Sequence, residues 1–326
     1  MRIGIAISGG DVSGINNFIY QISRMMQAEM VLFNGGIPGL LENRHQEISS
    51  RDLVDFSITA IPIMQSGRTT RKLMRQEYEV IAKQLKSLRI DVLIMAGGDG
   101  SLQFLHALSE CGVNCFGVGM TIDNDVFGSD YTIGFSTACE QVLKEVTKLR
   151  NTGRALTGRV FMVELLGGYC GELTLQSAIK SNADFALIPE CQIAPALLAE
   201  RITQRLAAQN SVVILCSEGY TREYSPGFQG AIDKLIKQLE PLIGVRIRKT
   251  IIGYGLRSGD PTCEEIYQGT IMASEVARCI QSGMRNKAVI INSNHRPIPI
   301  DLISMKKRLV DVEGHYYKLA KQLHIL

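Results

Sequence analysis

Short apolar runs alternate with amphipathic stretches along the whole chain. The runs have the length and composition of buried strands, and they occupy residues 2–8, 91–98, 114–120, 160–167, 184–190, 211–218 and 249–255. The stretches between them place apolar residues at helical spacing, over residues 16–30, 75–89, 139–151, 195–209 and 228–242. This alternation predicts an α/β fold in which helices cover parallel sheets.

The length of the chain favours more than one domain. At 326 residues, the chain is about twice the commonest domain size. The stretch 151–159 is polar and contains glycine, which makes it a candidate boundary. We therefore expect one domain over residues 1–150 and a second over residues 151–290, with the tail from about residue 290 packing against the first.

Composition and charge exclude several classes of function. Hydrophobic residues make up 45% of the chain, yet no apolar run approaches the roughly 18 residues of a membrane span. The chain starts directly in a strand-like run, which leaves no room for a signal peptide, so we expect a cytoplasmic protein. The net charge is +3 and the basic residues are scattered, so no nucleic-acid partner is expected. The cysteines form no CxxC motif and are expected to be reduced.

Two glycine-rich loops follow predicted strands. The glycine loop, residues 8–17, reads SGGDVSGINN and precedes a helix, where the backbone amides of Gly9, Gly10 and Gly14 suit a phosphate. The GGDG loop, residues 95–103, places Asp99 between Gly98 and Gly100, a position suited to the Mg²⁺ of an anionic ligand. Taken alone, each loop also has a purely structural interpretation: glycines in a tight turn, and Asp99 as a helix cap.

A third loop carries adjacent carboxylates. In this acidic turn, residues 121–125, Thr121 precedes Asp123, Asn124 and Asp125. Phosphoryl transfer to a hydroxyl needs a base for the hydroxyl and cations for the charge that spreads in the transition state. Asp123 or Asp125 could be that base. The alternative is a turn whose side chains bind only their own backbone.

The three loops together, in this order and at these distances, resemble the ATP-dependent 6-phosphofructokinase family. The resemblance continues through VELLGGYCGELTL (163–175), DFALIPE (184–190), SEG (217–219) and GYGLRSGDP (253–261), so it covers essentially the full chain. It implies the phosphofructokinase fold: two similar Rossmann-like αβα domains with parallel sheets and an active site in the cleft between them. It also implies a homotetramer in which neighbouring subunits share active sites.

The resemblance implies a role for individual residues of the nucleotide side. Asp123 matches the general base for the sugar's 1-hydroxyl, Thr121 lies beside the transferred phosphoryl group, and Asp125 helps to organise the metal and the turn. Asp99 matches the Mg²⁺ position. The positions that match ATP contacts are Gly10, Arg68, Thr69, Gly98, Gly100 and Ser101. Arg68 also makes sense as the cation that stabilises charge during transfer.

On the sugar-phosphate side the chain both matches and departs from the family. Arg159, Arg248 and Arg257 match positions that hold the 6-phosphate, the first two from the neighbouring subunit, and Glu218 matches the residue that binds the sugar hydroxyls. Leu166, Gly167 and Gly168 replace the usual Met-Gly-Arg, and Tyr254 replaces the usual histidine. The expected acceptor is fructose 6-phosphate, with a longer ketose phosphate such as sedoheptulose 7-phosphate as the alternative, because Gly168 leaves space.

The donor and the regulation also follow from the resemblance. Pyrophosphate-using relatives carry Asp at the position of Gly100 and Lys at the position of Met120, so ATP is the expected donor and pyrophosphate the alternative. The lysines of the effector site of bacterial relatives are absent before the strand at 211–218, which predicts weak or no activation by ADP. Two other readings remain: a regulatory subunit that binds a sugar phosphate without turnover, and an NAD or lipid kinase, which shares only the GGDG loop.

Overall fold

The computed structural model describes residues 1–69, 71–220, 231–302 and 307–326. These residues form two compact units: the first comprises Met1–Thr137 and Arg257–Arg308, and the second comprises Ala138–Leu256 and Leu309–Leu326. The first division falls after Thr137, near the start of helix α6 (Phe135–Ala155), whereas the sequence predicted a boundary at residue 150. The division also places residues 257–290 with the first unit and the last 18 residues with the second.

The first unit is built on a seven-stranded sheet of order β11-β10-β5-β4-β1-β2-β3. Five strands run parallel, whereas the two outer strands, β3 and β11, are antiparallel to their neighbours. The outermost strands are therefore an exception to the predicted parallel sheet, and β10 reaches β11 through a short reversal that needs no helical crossover. The strands are β1 (Arg2–Ser8), β2 (Glu29–Phe33), β3 (His45–Ile48), β4 (Val92–Gly97), β5 (Cys115–Gly119), β10 (Lys287–Ile291) and β11 (Pro297–Asp301).

Apolar side chains of these strands and of the flanking helices form the core of the first unit. Val31, Leu93 and Met95 on the strands pack in one cluster with Leu102 and Leu105 on helix α5, and all five are fully buried. Burial on both faces explains why the central strands read as continuous apolar runs. The helices are α1 (Ile15–Met26), α2 (Gly36–Leu41), α3 (Ser50–Val54), α4 (Arg75–Ser87), α5 (Asp99–Ser109) and α10 (Cys263–Gln281).

The second unit has a smaller sheet of four strands in the order β7-β8-β6-β9, all parallel. Its core includes Val160, Met162 and Ile214 from the strands, with Leu198 and Leu235 from two helices. The strands are β6 (Arg159–Leu165), β7 (Phe185–Leu187), β8 (Ser211–Ser217) and β9 (Ile247–Ile251). The helices are α6, α7 (Glu172–Ser181), α8 (Pro195–Ala208), α9 (Ala231–Ile243) and α11 (His315–Gln322), and a 3-10 helix covers Gly253–Arg257.

The predicted elements differ from the observed ones mainly at their ends. The helix predicted over 16–30 stops at Met26, because Gln27 adopts a left-handed conformation with φ of 47°, and β2 begins two residues later. The first residues of the helix predicted over 228–242 lie outside the described residues. Among the described residues, no helix has the length and apolar content needed to span a bilayer. All eight cysteines are described and are free thiols, and five of them are buried.

Candidate active site

The carboxyl ends of three neighbouring strands bring the three loops together. In the parallel register, Ser8 of β1 pairs with Gly97 of β4, and Gly97 pairs in turn with Gly119 of β5. The amide of Met120 continues this pairing by donating to the carbonyl of Gly97 over 2.9 Å. The glycine loop, the GGDG loop and the acidic turn therefore leave the sheet side by side, at the edge where α/β sheets bind ligands.

The glycine loop packs closely against two other segments of the first unit. Its Gly9 amide donates to the carbonyl of Gly67 over 3.2 Å, which places Arg68 and Thr69 next to the loop. A Cβ atom on Gly10 would lie 1.1 Å from Nη1 of Arg257, so the guanidinium occupies the space that any side chain at position 10 would need. The structure thus brings Gly10 and Arg257 together.

The GGDG loop leaves room for a ligand. A Cβ atom added to Gly98 or Gly100 would have no atom within 4 Å, so the space beside both glycines is open. Gly98 is the N-cap of α5 and Asp99 is the first helical residue, so Asp99 does not occupy the capping position that its structural interpretation required. Ser101 is buried and its hydroxyl donates to the carbonyl of Ser8 over 3.3 Å, so it ties the GGDG loop to β1.

The residues of the acidic turn differ in their burial and in their hydrogen bonds. Asn124 is fully buried, has φ of 51°, and donates from Nδ2 to the carbonyl of Asp130 over 3.1 Å. Asn124 thereby holds the turn by binding its own backbone, the role that the structural interpretation gave to the whole motif. The Asp123 amide donates to the Thr121 hydroxyl over 3.1 Å, and the carboxylate of Asp123 is half-buried.

Asp125 is paired with a lysine that the sequence did not single out. Its side chain is 6% exposed, and its Oδ2 lies 3.2 Å from Nζ of Lys307. Burial raises the pKa of Asp125, and the positive charge of Lys307 partly offsets this. Burial alone would lower the pKa of Lys307, but the carboxylates of Asp125, Asp99 and Asp123 raise it. Nothing in the local sequence marks Lys307, because its partners precede it by about two hundred residues.

Met120 is buried between the strands. Its side chain is 2% exposed, and its backbone forms an isolated parallel bridge with Ile133. The residue at the position that carries lysine in pyrophosphate-using relatives is therefore part of the apolar core here.

A second group of predicted residues meets in the second unit. Leu165 of β6 pairs with Ser217 of β8, which places Gly167, Gly168 and Glu218 beyond the same ends of the two strands. Oε1 of Glu218 accepts hydrogen bonds from the amides of Gly167 over 3.2 Å and of Gly168 over 2.8 Å.

These bonds depend on the conformation of two glycines. Gly167 and Gly168 have φ of 149° and 59°, which L-residues rarely adopt. Leu166 is half-buried beside them. The pKa of neighbouring Glu164 is raised by burial and by the negative charge of Glu218, so this end of the second unit is acidic.

Arg159 and Arg248 lie away from this group. Arg159 is the first residue of β6, whereas Gly167 lies two residues beyond its end, so the whole strand, about 20 Å long, separates their backbones. Arg248 pairs with Phe161, also near the amino end of β6. Tyr254, in the 3-10 helix, is 80% exposed. Within this chain, Arg159 and Arg248 are therefore not placed beside Glu218.

Sequence comparison relates the chain to one family over most of its length. Residues 2–280 match the family model described as phosphofructokinase. A protein of Clostridium botulinum (strain Hall), named ATP-dependent 6-phosphofructokinase, is 32% identical over 304 residues, 92% of each chain. A protein of the same name from Teredinibacter turnerae is 31% identical over 298 residues, 90% of each chain.

Solved structures show the same fold. The pyrophosphate-dependent phosphofructokinase from Marinobacter aquaeolei superimposes with a TM-score of 0.83 at 17% identity, over 99% of this chain and 90% of that one. A chain of the Saccharomyces cerevisiae phosphofructokinase gives a TM-score of 0.82 at 21% identity; the match covers 98% of this chain but 46% of the yeast chain. The α/β fold class predicted from the sequence is confirmed.

Proposed function

Because the chain belongs to the phosphofructokinase family, we propose that it transfers a phosphoryl group from MgATP to the 1-hydroxyl of fructose 6-phosphate, a step of glycolysis. The observation that carries the proposal is the meeting of the glycine loop, the GGDG loop and the acidic turn at the ends of β1, β4 and β5. Together these loops supply backbone amides, carboxylates and a nearby arginine, which are the parts that phosphoryl transfer requires.

The residues of the GGDG loop fit a nucleotide and its Mg²⁺. Mg²⁺ is usually held by one or two carboxylates together with substrate phosphates, and Asp99 is the carboxylate that this chain would contribute. In the described part of the chain, no group of three His, Cys, Asp or Glu side chains is arranged to hold a metal ion. A bound Mg²⁺ would neutralise charge on the phosphates. The phosphates would occupy the open space beside Gly98 and Gly100.

The acidic turn and its neighbours would perform the transfer itself. We assign to Asp123 the proton of the attacking hydroxyl, since its side chain is half-buried whereas that of Asp125 is buried against Lys307. Thr121, whose hydroxyl accepts a hydrogen bond from the amide of Asp123, would lie beside the transferred group. Arg68, exposed beside the glycine loop, stabilises the negative charge that develops during transfer.

ATP is the proposed donor. The space beside Gly100 is open rather than filled by a carboxylate, and Met120 is an apolar buried residue rather than a lysine. Both observations favour the larger nucleotide over pyrophosphate, although the fold is shared with pyrophosphate-dependent structures.

The acceptor is bound on the second unit in this proposal. The carboxylate of Glu218, fixed by the amides of Gly167 and Gly168, would accept hydrogen bonds from sugar hydroxyls. Since Gly168 presents no side chain, a longer ketose phosphate such as sedoheptulose 7-phosphate is the second candidate acceptor. Tyr254 completes the proposed sugar-phosphate contacts of this unit.

A site shared between subunits would explain why Arg159 and Arg248 lie far from Glu218 of their own chain. Both lie toward the amino end of β6, away from Glu218 of their own chain. We propose that they bind the 6-phosphate held by a neighbouring copy in a homotetramer, where their planar guanidinium groups match the phosphate oxygens.

The test is an assay of phosphoryl transfer over a panel of sugar phosphates, with ATP and pyrophosphate compared as donors. We expect ATP to phosphorylate fructose 6-phosphate, and ADP release to depend on the acceptor. Sedimentation measurements on the same preparation would report the oligomeric state. If neither donor phosphorylates any ketose phosphate, the proposed function is wrong.

A further inference from the structure

Residues 257–260 lie along the glycine loop at the end of β1. The hydroxyl of Ser13, in this loop, donates to the carbonyl of Gly259. A Cβ atom on Gly14 would lie 2.5 Å from Cγ of Glu265, on the helix that follows this segment. A hydrogen bond and close packing therefore hold the segment beside the glycine loop, and they fix the backbone from which its arginine side chain extends.

The guanidinium of Arg257 lies against the glycine loop. Its Nη1 would be 1.1 Å from a Cβ atom on Gly10, and it is 3.9 Å from Oδ1 of Asp11. The Arg257 side chain is 15% exposed, whereas that of Asp11 is 68% exposed, and an ion pair of this length at the surface is weak. The carboxylate of Asp11 therefore neutralises little of the positive charge beside the loop.

Arg68 lies next to the same loop. The carbonyl of Gly67 accepts from the amide of Gly9 over 3.2 Å, and Arg68 is the following residue, while Arg257 lies against Gly10. Two arginines thus adjoin consecutive residues of a loop whose backbone amides suit a phosphate. Arginine fits such a position because its planar fork of N–H donors matches the oxygens of a phosphate group.

We propose that Arg257 binds the transferred phosphoryl group of the nucleotide together with Arg68, rather than the 6-phosphate of the sugar to which the family resemblance assigns it. The inference rests on the proposed function, in which Arg68 stabilises the charge on that group. Negative charge spreads over the phosphoryl oxygens during transfer, so a second guanidinium stabilises more of it. Arg68 is exposed, whereas Arg257 is mostly buried, so water screens the charge of Arg257 less.

The test compares two nucleotides that differ by the terminal phosphate. Isothermal titration calorimetry without sugar measures the binding of Mg²⁺ complexes of ADP and of adenylyl imidodiphosphate, an ATP analogue that resists hydrolysis. In the neutral variant Arg257→Met, the Kd for the ATP analogue should rise at least about tenfold, whereas the Kd for ADP should stay within about twofold. Arg257→Lys keeps the charge but loses the fork, and its Kd for the ATP analogue should fall between those of Arg257→Met and the wild type.

Two control variants test general effects of charge and of the loop. Arg278, exposed on α10, pairs with Glu275 over 2.6 Å; Arg278→Met removes the same charge from the same unit and should leave both Kd values unchanged. Asp11→Asn removes the carboxylate beside Arg257 and should not weaken binding of the ATP analogue. A loss in Asp11→Asn as large as that in Arg257→Met would show that the ion pair supports the loop, and the proposal would be wrong.

A titration with fructose 6-phosphate tests the alternative position of this arginine. Unchanged binding of the ATP analogue by Arg257→Met would overturn the proposal, and a loss of fructose 6-phosphate binding in the same variant would then place the arginine at the 6-phosphate. Equal losses for the ATP analogue and ADP would also overturn it, because the arginine would then support the loop rather than bind the terminal phosphate.

The result is separable from the proposed function. If the wild-type protein binds both nucleotides but phosphorylates no ketose phosphate, the proposed function fails, while the comparison of the two nucleotides still decides the role of Arg257. If the wild type binds neither nucleotide, both proposals fail.

Discussion

From the fully buried side chain of Glu265, on α10, we predict how the free energy of unfolding depends on pH. Its Oε1 accepts from the amide of Gly134 over 2.7 Å, and its Oε2 accepts from the amide and the hydroxyl of Thr137, each over 3.1 Å. A Cβ atom on Gly14 would lie 2.5 Å from its Cγ, so the same side chain packs against the glycine loop. Glu265 thus joins α10, the segment after the acidic turn and the glycine loop.

Burial raises the pKa of Glu265 from the ordinary value of 4.5 to about 7, against the hydrogen bonds from Gly134 and Thr137, which favour the ionised form. The native protein therefore holds this proton more tightly than the unfolded chain does. The stability that the folded protein gains by binding the Glu265 proton is fully present below about pH 4.5 and is lost as the pH rises through about 7. A shift of this size corresponds to about 3 kcal/mol of unfolding free energy.

The perturbation is Glu265→Gln, which keeps the shape of the side chain and removes its titration. Unfolding in urea, followed by circular dichroism, gives the free energy of unfolding of both proteins at a series of pH values. The advantage of the wild type over the variant should shrink by about 3 kcal/mol between about pH 4.5 and about pH 8. Other carboxyl groups contribute equally to both proteins and cancel in this difference.

The neighbouring residue offers a matched control. Glu264 is exposed on the same helix and accepts one hydrogen bond from Gln268 over 2.7 Å. Glu264→Gln, measured at the same pH values, therefore reports what the loss of an exposed carboxyl group on α10 does to the free energy of unfolding. If the difference between wild type and Glu265→Gln is independent of pH, the raised pKa and the reasoning built on it are wrong.

Three further predictions concern the proposed reaction. Asp123→Asn should lower kcat by about 10²- to 10⁴-fold while the Kd for MgATP stays within about twofold. The control Asp130→Asn, on the same loop, should retain turnover. A near-normal kcat in Asp123→Asn would show that Asp123 is not the base. Gly100→Asp should fold normally, because the space beside Gly100 is open. Its carboxylate should repel the phosphates and lower kcat/KM for ATP at least about tenfold, whereas Gly100→Ala should leave kcat/KM nearly unchanged. Equal effects of the two variants on kcat/KM would contradict the proposed position of the phosphates. ADP should activate the enzyme weakly or not at all, because the lysines of the effector site are absent before the strand at 211–218. Strong, saturable activation by ADP in initial-rate measurements would refute this prediction.

The parts of the fold that the sequence predicted are those with a strong local pattern. The central strands β1, β4, β5, β6 and β8 are buried on both faces and therefore read as continuous apolar runs. The outer strand β3 is exposed along most of its length and has no such run, and β11 contains two prolines and is half-buried. Their positions depend on pairing with β2 and β10 rather than on their own residues.

The domain boundary shows the same limit. The polar stretch 151–159 was expected to be a break, but helix α6 extends through Ala155 before β6 begins at Arg159. Polar residues on an exposed helix and polar residues in a linker give the same local signal, because both face water. The return of residues 257–308 to the first unit depends on contacts made across more than a hundred residues, which local patterns do not report.

The sequence predicted which loops form the proposed site, but it did not predict which side chains contact each other there. Asp123 and Asp125 were adjacent and alike in the sequence, and Lys307 distinguishes them by pairing with the second. Arg257 was placed on the sugar-phosphate side, yet its guanidinium lies against Gly10 of the glycine loop, where a Cβ atom would be 1.1 Å away. A side chain at position 10 would therefore meet the end of the flexible Arg257 side chain, and the guanidinium would have to move away from the loop.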